Sequence, residues 1–414
     1  YRRYERGLAG VTHYTAFVLA RDQTVARVEL GPAEPIDRAA RRWRAAIADR
    51  ADESAGVELA ALTWKPIAAA LPAQTKSVFL APDGVLSLVP WAALPIAGVD
   101  RVLLEDLPGG LAVVPHGPFL FEQLRHNAPK DDPDGRLLIV GDVAYGSADA
   151  AGNRRLYPAL EGTRAELECL RRLAGERRID RLRGTDATTA AVRERLPGAR
   201  LAHFATHGFF HIERLEEENV RFAQRIRERG SRSRSETTGI AQDVPPAFAG
   251  LVLAGVNRPA SAGPDAGLLS AEVLAQLPLD TLYLAVLSAC ETGLGGHSLR
   301  SEGVFGLVRA FHLAGCRNVV ASLWKVNDAA TAALMAKFYH ELWINKKPPI
   351  EALREAQLTI YRHPERIPAL AGERGKPDFN KTVELKVEPR ATAGAEKRTP
   401  TKLWAAFVLS GVGK

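Results

Sequence analysis

Two short apolar runs in this chain end in residues that can do chemistry. LAHFAT (201–206) leads into His207–Gly208, and LYLAVLS (282–288) leads into Ala289–Cys290. In open α/β sheets ligands bind beyond the carboxyl ends of the strands, so two neighbouring strands of this kind would bring a histidine and a cysteine to one edge. A thiol is mostly protonated at neutral pH. A nearby imidazole can take its proton or stabilise the thiolate, which is what nucleophilic catalysis requires. Gly208 has no side chain, so its N–H can approach a developing oxyanion closely, and the N–H of Cys290 is a candidate second donor. Cysteine is also among the most buried residue types, so the same pair can be read as core packing. Cys316, at a helix end leading into a strand, and Cys169, within an amphipathic helix, are read that way.

Other chemistries fit less well. His203, His207 and His211 are spaced by four, as three zinc ligands on one helix face would be. The segment HFATHGFFH has Gly208 in its middle, and on a strand His203 and His207 would lie roughly 13 Å apart, too far for one ion. There is no H-E-x-x-H, and Gly293–Leu294–Gly295–Gly296 lacks the Lys-Ser/Thr of a phosphate-binding loop, so neither metal nor cofactor is expected. The net charge of +7 comes largely from arginine, with Arg221, Arg225, Arg227, Arg229, Arg232 and Arg234 clustered in one stretch. Acidic residues are interspersed throughout, and Phe222 alone among aromatics lies inside the cluster, so direct nucleic-acid binding is disfavoured.

The elements that must position the pair follow from punctuation and periodicity. YTAFVL (14–19) and VARVEL (25–30) read as a hairpin, and residues 36–50 as a helix. Residues 77–80 and 85–89 read as strands around the turn Pro82–Asp83–Gly84. The polar break at 131–135 places a boundary between a lobe over 1–130 and a domain over 131–414. Beyond it, apolar runs at 137–140, 201–206, 250–254, 282–288 and 318–323 alternate with helices at 163–173, 186–196, 302–314 and 329–342, and a last strand spans 404–409. Strands buried on both faces and alternating with helices mean an α/β fold with a mainly parallel sheet. Polar insertions are expected at about 213–243 and 372–401. Three cysteines without a C-x-x-C pair suit a reducing compartment, hence a cytoplasmic protein, and no eighteen-residue apolar run suggests a membrane span. The start at Tyr1, without methionine, reads as a piece of something longer.

Several of these segments together resemble one family. HFATHGFF (203–210), LSACETGLG (287–295), Ser301–Glu302–Gly303 and ASLWKVND (321–328) resemble the CHAT family, caspase-related cysteine peptidases of clan CD and relatives of caspases and separase. PDGVLSLVPWAALP (82–95), LYPALEGTRAEL (156–167) and WAAFVLSG (404–411) resemble its flanking segments in the family's order. The resemblance implies a caspase-like three-layer sandwich preceded by a smaller α/β lobe like a pseudo-protease. It implies an endopeptidase acting on protein substrates, with His207 as catalytic histidine, Cys290 as the nucleophile that forms a thioester, and the N–H groups of Gly208 and Cys290 as the oxyanion hole. Asp265 matches an acidic position that would favour Arg or Lys at P1, and its plain alternative is a turn or capping residue. Trp324 is expected to shape one wall of the substrate groove. Upstream tetratricopeptide repeats, an activating partner and a role in bacterial defence or cell death are further implications. The competing readings are a catalytically silent interaction module and a nucleic-acid-binding regulator that uses the basic loop.

Overall fold

The computed structural model of the chain describes residues 2–3, 10–49, 54–96, 101–125, 135–146, 157–160, 162–210, 249–257, 267–288, 290–291, 300–324, 327–372, 377 and 398–414. The described strands are β1 (Arg2–Arg3), β2 (Val11–Val18), β3 (Ala26–Pro32), β4 (Val78–Leu80), β5 (Leu111–Val113), β6 (Leu137–Val143), β7 (Ile179–Gly184), β8 (Leu201–Ala205), β9 (His207–Phe210), β10 (Ala249–Val252), β11 (Leu268–Ser270), β12 (Leu284–Leu287), β13 (Cys290–Glu291), β14 (Asn318–Ser322) and β15 (Phe407–Gly411). Eight of them form one sheet in the order β4-β5-β15-β14-β12-β8-β6-β7. Neighbours in it are parallel except β14 and β15. Strands β4 and β5 precede residue 131 and the other six follow it, so the 1–130 and 131–414 portions share this sheet.

Apolar runs without polar alternation require cover on both faces, and each strand divides its side chains between two cores. Leu137, Ile139, Leu284, Val286 and Val320 belong to one. Leu138, Val140, Ala285, Leu287, Val319 and Ala321 belong to the other. The first core lies against helices Thr163–Leu173, Asp328–Tyr339 and Pro349–Arg362, and the second against Thr189–Arg195 and Arg300–Leu313. Helix–sheet–helix layering is the expected three-layer α/β architecture. Helix Ala33–Asp49 joins the first core through Ile36, Ala39, Ala40, Trp43 and Ile47, an apolar stripe at helical spacing. Beside it, β2 and β3 form the expected hairpin.

Some expectations shift. Residues 85–89 are not a strand: Gly84–Leu88 is a 3-10 helix, with the Leu86 N–H bonded to Asp83 O. Leu86 and Leu88 are buried as a strand's alternate residues would be, and that alternation hides the turn that Gly84 starts at φ 57°. The helix expected over 186–196 is shorter, Thr189–Arg195, because Thr188 caps it by accepting the Ala191 N–H at 3.1 Å. Strand β7, IDRLRG, is too charged for the apolar-run criterion. It lies at one edge of the sheet, where exposed Arg181 and Arg183 disfavour pairing with another chain. The insertion at 213–243 lies outside the described residues, as does most of 372–401. Thr399 is buried and bonded to Tyr361 O, so the second insertion ends before it.

Candidate active site

Two adjacent strands leave the main sheet together. After β8 ends at Ala205, the chain passes Thr206 and resumes as β9. After β12 ends at Leu287, it resumes as β13. Strands β9 and β13 pair in a second, four-stranded sheet, β11-β10-β9-β13. The pairing does not slip across the change of sheet. Leu284 lies beside Leu201 in the first ladder and Cys290 beside His207 in the second, an offset of 83 in both. The parallel β8–β12 pairing is thus carried past the strand ends, and it sets the backbones of His207 and Cys290 side by side, about 4.8 Å apart as neighbouring strands are. Proximity of this kind is what an imidazole–thiol pair requires.

The His207 imidazole is fully buried and held from three sides. Its Nε2 lies 2.7 Å from the carbonyl oxygen of Pro158. A carbonyl only accepts, so Nε2 carries the proton, and in the neutral ring Nδ1 holds the basic lone pair. Tyr145 and Tyr157 flank the ring, with centroids 4.9 and 5.7 Å away. A hydrogen-bond chain fixes the backbone at the point where the sheets change. The His207 N–H donates to the Tyr145 hydroxyl at 3.2 Å, which donates to the Thr206 hydroxyl at 2.9 Å, which donates to the Val252 carbonyl. Thr206 is fully buried, and the chain gives the His207 N–H and both hydroxyls a partner. Burial, the largest cause, raises the pKa of both tyrosines, so they remain neutral.

Gly208 follows at once, between the Leu251 and Glu291 backbones. Among the described residues, a Cβ placed there would meet only Gly250 O, at an ordinary 3.7 Å. Packing among them does not demand glycine at 208. At Gly250, by contrast, a Cβ would collide with Leu269 O and with the Phe209 ring.

The remaining expected residues divide. Asp265 lies outside the described residues, and so does His211. Trp324 follows β14, packs partly buried on the first core and donates its indole N–H to Lys402 O at 2.9 Å. His203 turns from His207 to the first core, where Nε2 is 3.2 Å from Glu166 Oε1 and Nδ1 is 2.9 Å from the Tyr339 hydroxyl. The two histidines therefore serve separate surroundings. Cys169 and Cys316 are buried core thiols, both pushed up to about 12 chiefly by burial. Sequence reasoning missed Tyr145 and Pro158, since neither sits in a pattern that marks chemistry. Pro158 does fall in the family-like segment 156–167, but the signal for its role, as for that of Tyr145, is place: just after β6 and just before helix Thr163–Leu173, at the same sheet edge as His207. Among the described residues no three His, Cys, Asp or Glu side chains cluster as metal ligands would, and no helix is long and apolar enough to cross a membrane.

A CHAT domain profile matches residues 53–412, most of the chain. The human protein Tetratricopeptide repeat protein 28 is 26% identical over 300 residues, which is 69% of this chain and 11% of that protein. Two solved structures of the Saccharomyces cerevisiae separase–securin complex align with 88% of this chain and 17% of theirs, at 13% identity and a TM-score of 0.39. The chain thus spans a small part of the relatives it matches.

Proposed function

Because the chain belongs to the CHAT domain family, we propose that it is a cysteine endopeptidase working through a His207–Cys290 dyad. The observation that supports this most is the unbroken register that sets Cys290 beside His207 beyond the ends of β8 and β12. In this reading His207 Nδ1 takes the Cys290 thiol proton, the same proton it later gives to the leaving amine, and the thiolate attacks the scissile carbonyl. The N–H groups of Gly208 and Cys290 hold the oxyanion, and His207 protonates the leaving amine. A thioester forms between Sγ and the acyl carbon as the C–N bond breaks, and water then releases the acid and regenerates the thiol. The Pro158 carbonyl takes the orienting place that a carboxylate holds in a triad. Asp265, for a basic P1 side chain, and Trp324, for one groove wall, belong to the same proposal.

The setting is proposed with it: regulated cleavage of a protein substrate in a bacterial cytoplasm, as part of a defence or cell-death system. Tetratricopeptide repeats in the human relative's name suggest an upstream repeat region or an activating partner. The complete burial of the His207 ring favours a second state of the same enzyme, latent until substrate or partner opens the site.

The test is labelling with a thiol-directed electrophilic peptide at neutral pH. One label per chain, lost in Cys290→Ala, is the expected outcome, since Cys169 and Cys316 are buried thiols held protonated. No labelling of the native protein would favour the silent interaction module.

A further inference from the structure

The Pro158 carbonyl that orients His207 lies in residues 157–160, which have no regular secondary structure. A carbonyl on such a segment orients an imidazole only if something holds it. One end of the segment is tied to helix Thr163–Leu173, where the Thr163 hydroxyl donates to Leu160 O at 2.7 Å and accepts the Asp142 N–H at 3.2 Å. Among the described residues, the side chain that holds the other end is Asn257. Asn257 accepts the Tyr157 N–H at its Oδ1 (3.2 Å) and donates from Nδ2 to the Tyr157 carbonyl (2.8 Å), pairing with both backbone groups as a neighbouring strand would. The same Nδ2 reaches Gly146 O at 3.4 Å. The Asn257 N–H donates to Tyr145 O at 2.8 Å, and the Tyr145 hydroxyl receives the His207 N–H.

Asn257 therefore ties together two of the groups that touch His207, one on its ring and one on its backbone. We propose that Asn257 is the positioning residue of the site: through Tyr157 it fixes the Pro158 carbonyl, and through that carbonyl the Nε2–H tautomer of His207. Only a carboxamide presents a donor and an acceptor in one plane to a single backbone unit, so aspartate, which lacks the donor, can do half of this. The inference rests on the reading of His207 as a catalytic group, and its first readout does not need catalysis.

The test combines long-range 1H–15N spectra of histidine-labelled protein, at a pH where the ring is neutral, with turnover of a P1-diverse fluorogenic peptide library. His207 signals are assigned by loss in His207→Gln. The wild type is expected to show the Nε2–H tautomer. Asn257→Ala is expected to show a mixture of tautomers and a kcat reduced roughly tenfold to a hundredfold, with KM nearly unchanged, as displacement of a catalytic group does. Asn257→Asp is expected to fall between. If Asn257→Ala does not fold, Asn257→Asp decides by the same readouts. An unshifted tautomer and kcat in a folded variant would overturn the proposal, as would a wild type without the Nε2–H form. A wild type that shows this form, loses it in the variants and cleaves nothing would refute the protease reading while leaving the clamp in place.

Discussion

At residue 208 the fold and the proposed chemistry make different demands. The backbone there is not in the left-handed region and, among the described residues, a Cβ would meet nothing closer than 3.7 Å, so Gly208→Ala is expected to fold with nearly wild-type stability. If the space over Gly208 belongs to the substrate carbonyl, the same methyl group lowers kcat by roughly a hundredfold, the order seen when an oxyanion donor is lost. Thermal unfolding and peptide turnover measured on one preparation separate the two effects. Full activity in Gly208→Ala would remove Gly208 from the oxyanion hole. The pairing of His207 with Cys290 was legible in the sequence because each follows an apolar run, and the ends of neighbouring strands lie together. The carbonyl on the imidazole was not legible, since a backbone acceptor leaves no residue-type signature.

The element that matters most is the double strand that changes sheets without losing register. Thr206 and Tyr145 hold its kink, and the Tyr145 hydroxyl accepts from His207 and donates to Thr206. Tyr145→Phe removes both bonds while keeping the ring beside the imidazole, and is expected to cost about 1–3 kcal/mol, the penalty of buried groups left unpaired. Urea unfolding checks this, and a midpoint unchanged from wild type would show the kink to be held by the strands alone. The strands of the main sheet that flank the site, β6, β8, β12 and β14, were all readable as apolar runs, and helix Thr163–Leu173 by its apolar spacing. Strands β9 and β13 were not. They are short continuations of β8 and β12 whose existence depends on tertiary pairing rather than local pattern. The 3-10 helix Gly84–Leu88 misleads because its leucines bury with a period of two.

At the scale of the whole molecule, one sheet binds the first 130 residues to the rest, and its seam is the parallel β5–β15 pair, with Ser410 beside Val113. His312 bridges that region. Its ring donates from Nδ1 to Cys316 O and accepts at Nε2 from the Ser410 hydroxyl, both at 2.9 Å, an arrangement that needs the neutral form. Burial pulls its pKa down to about 4, against a smaller opposing pull from the Cys316 carbonyl. The unfolded chain, with an ordinary histidine value of 6.5, takes up this proton first, so protonation favours unfolding. The stability held by His312 is therefore complete above about pH 6.5 and lost as pH falls towards 4, on the order of 3 kcal/mol. Urea midpoints at pH 7.5 and 4.5 should separate less in His312→Asn than in the wild type. Equal separations would place the acid sensitivity elsewhere.

The most direct test of the account is cleavage of a P1-diverse fluorogenic peptide library by the wild type, Cys290→Ala and His207→Ala. Turnover in the wild type that disappears in both variants, with folding intact by circular dichroism, is the predicted result. Turnover that survives Cys290→Ala would contradict the dyad and place the chemistry on other residues.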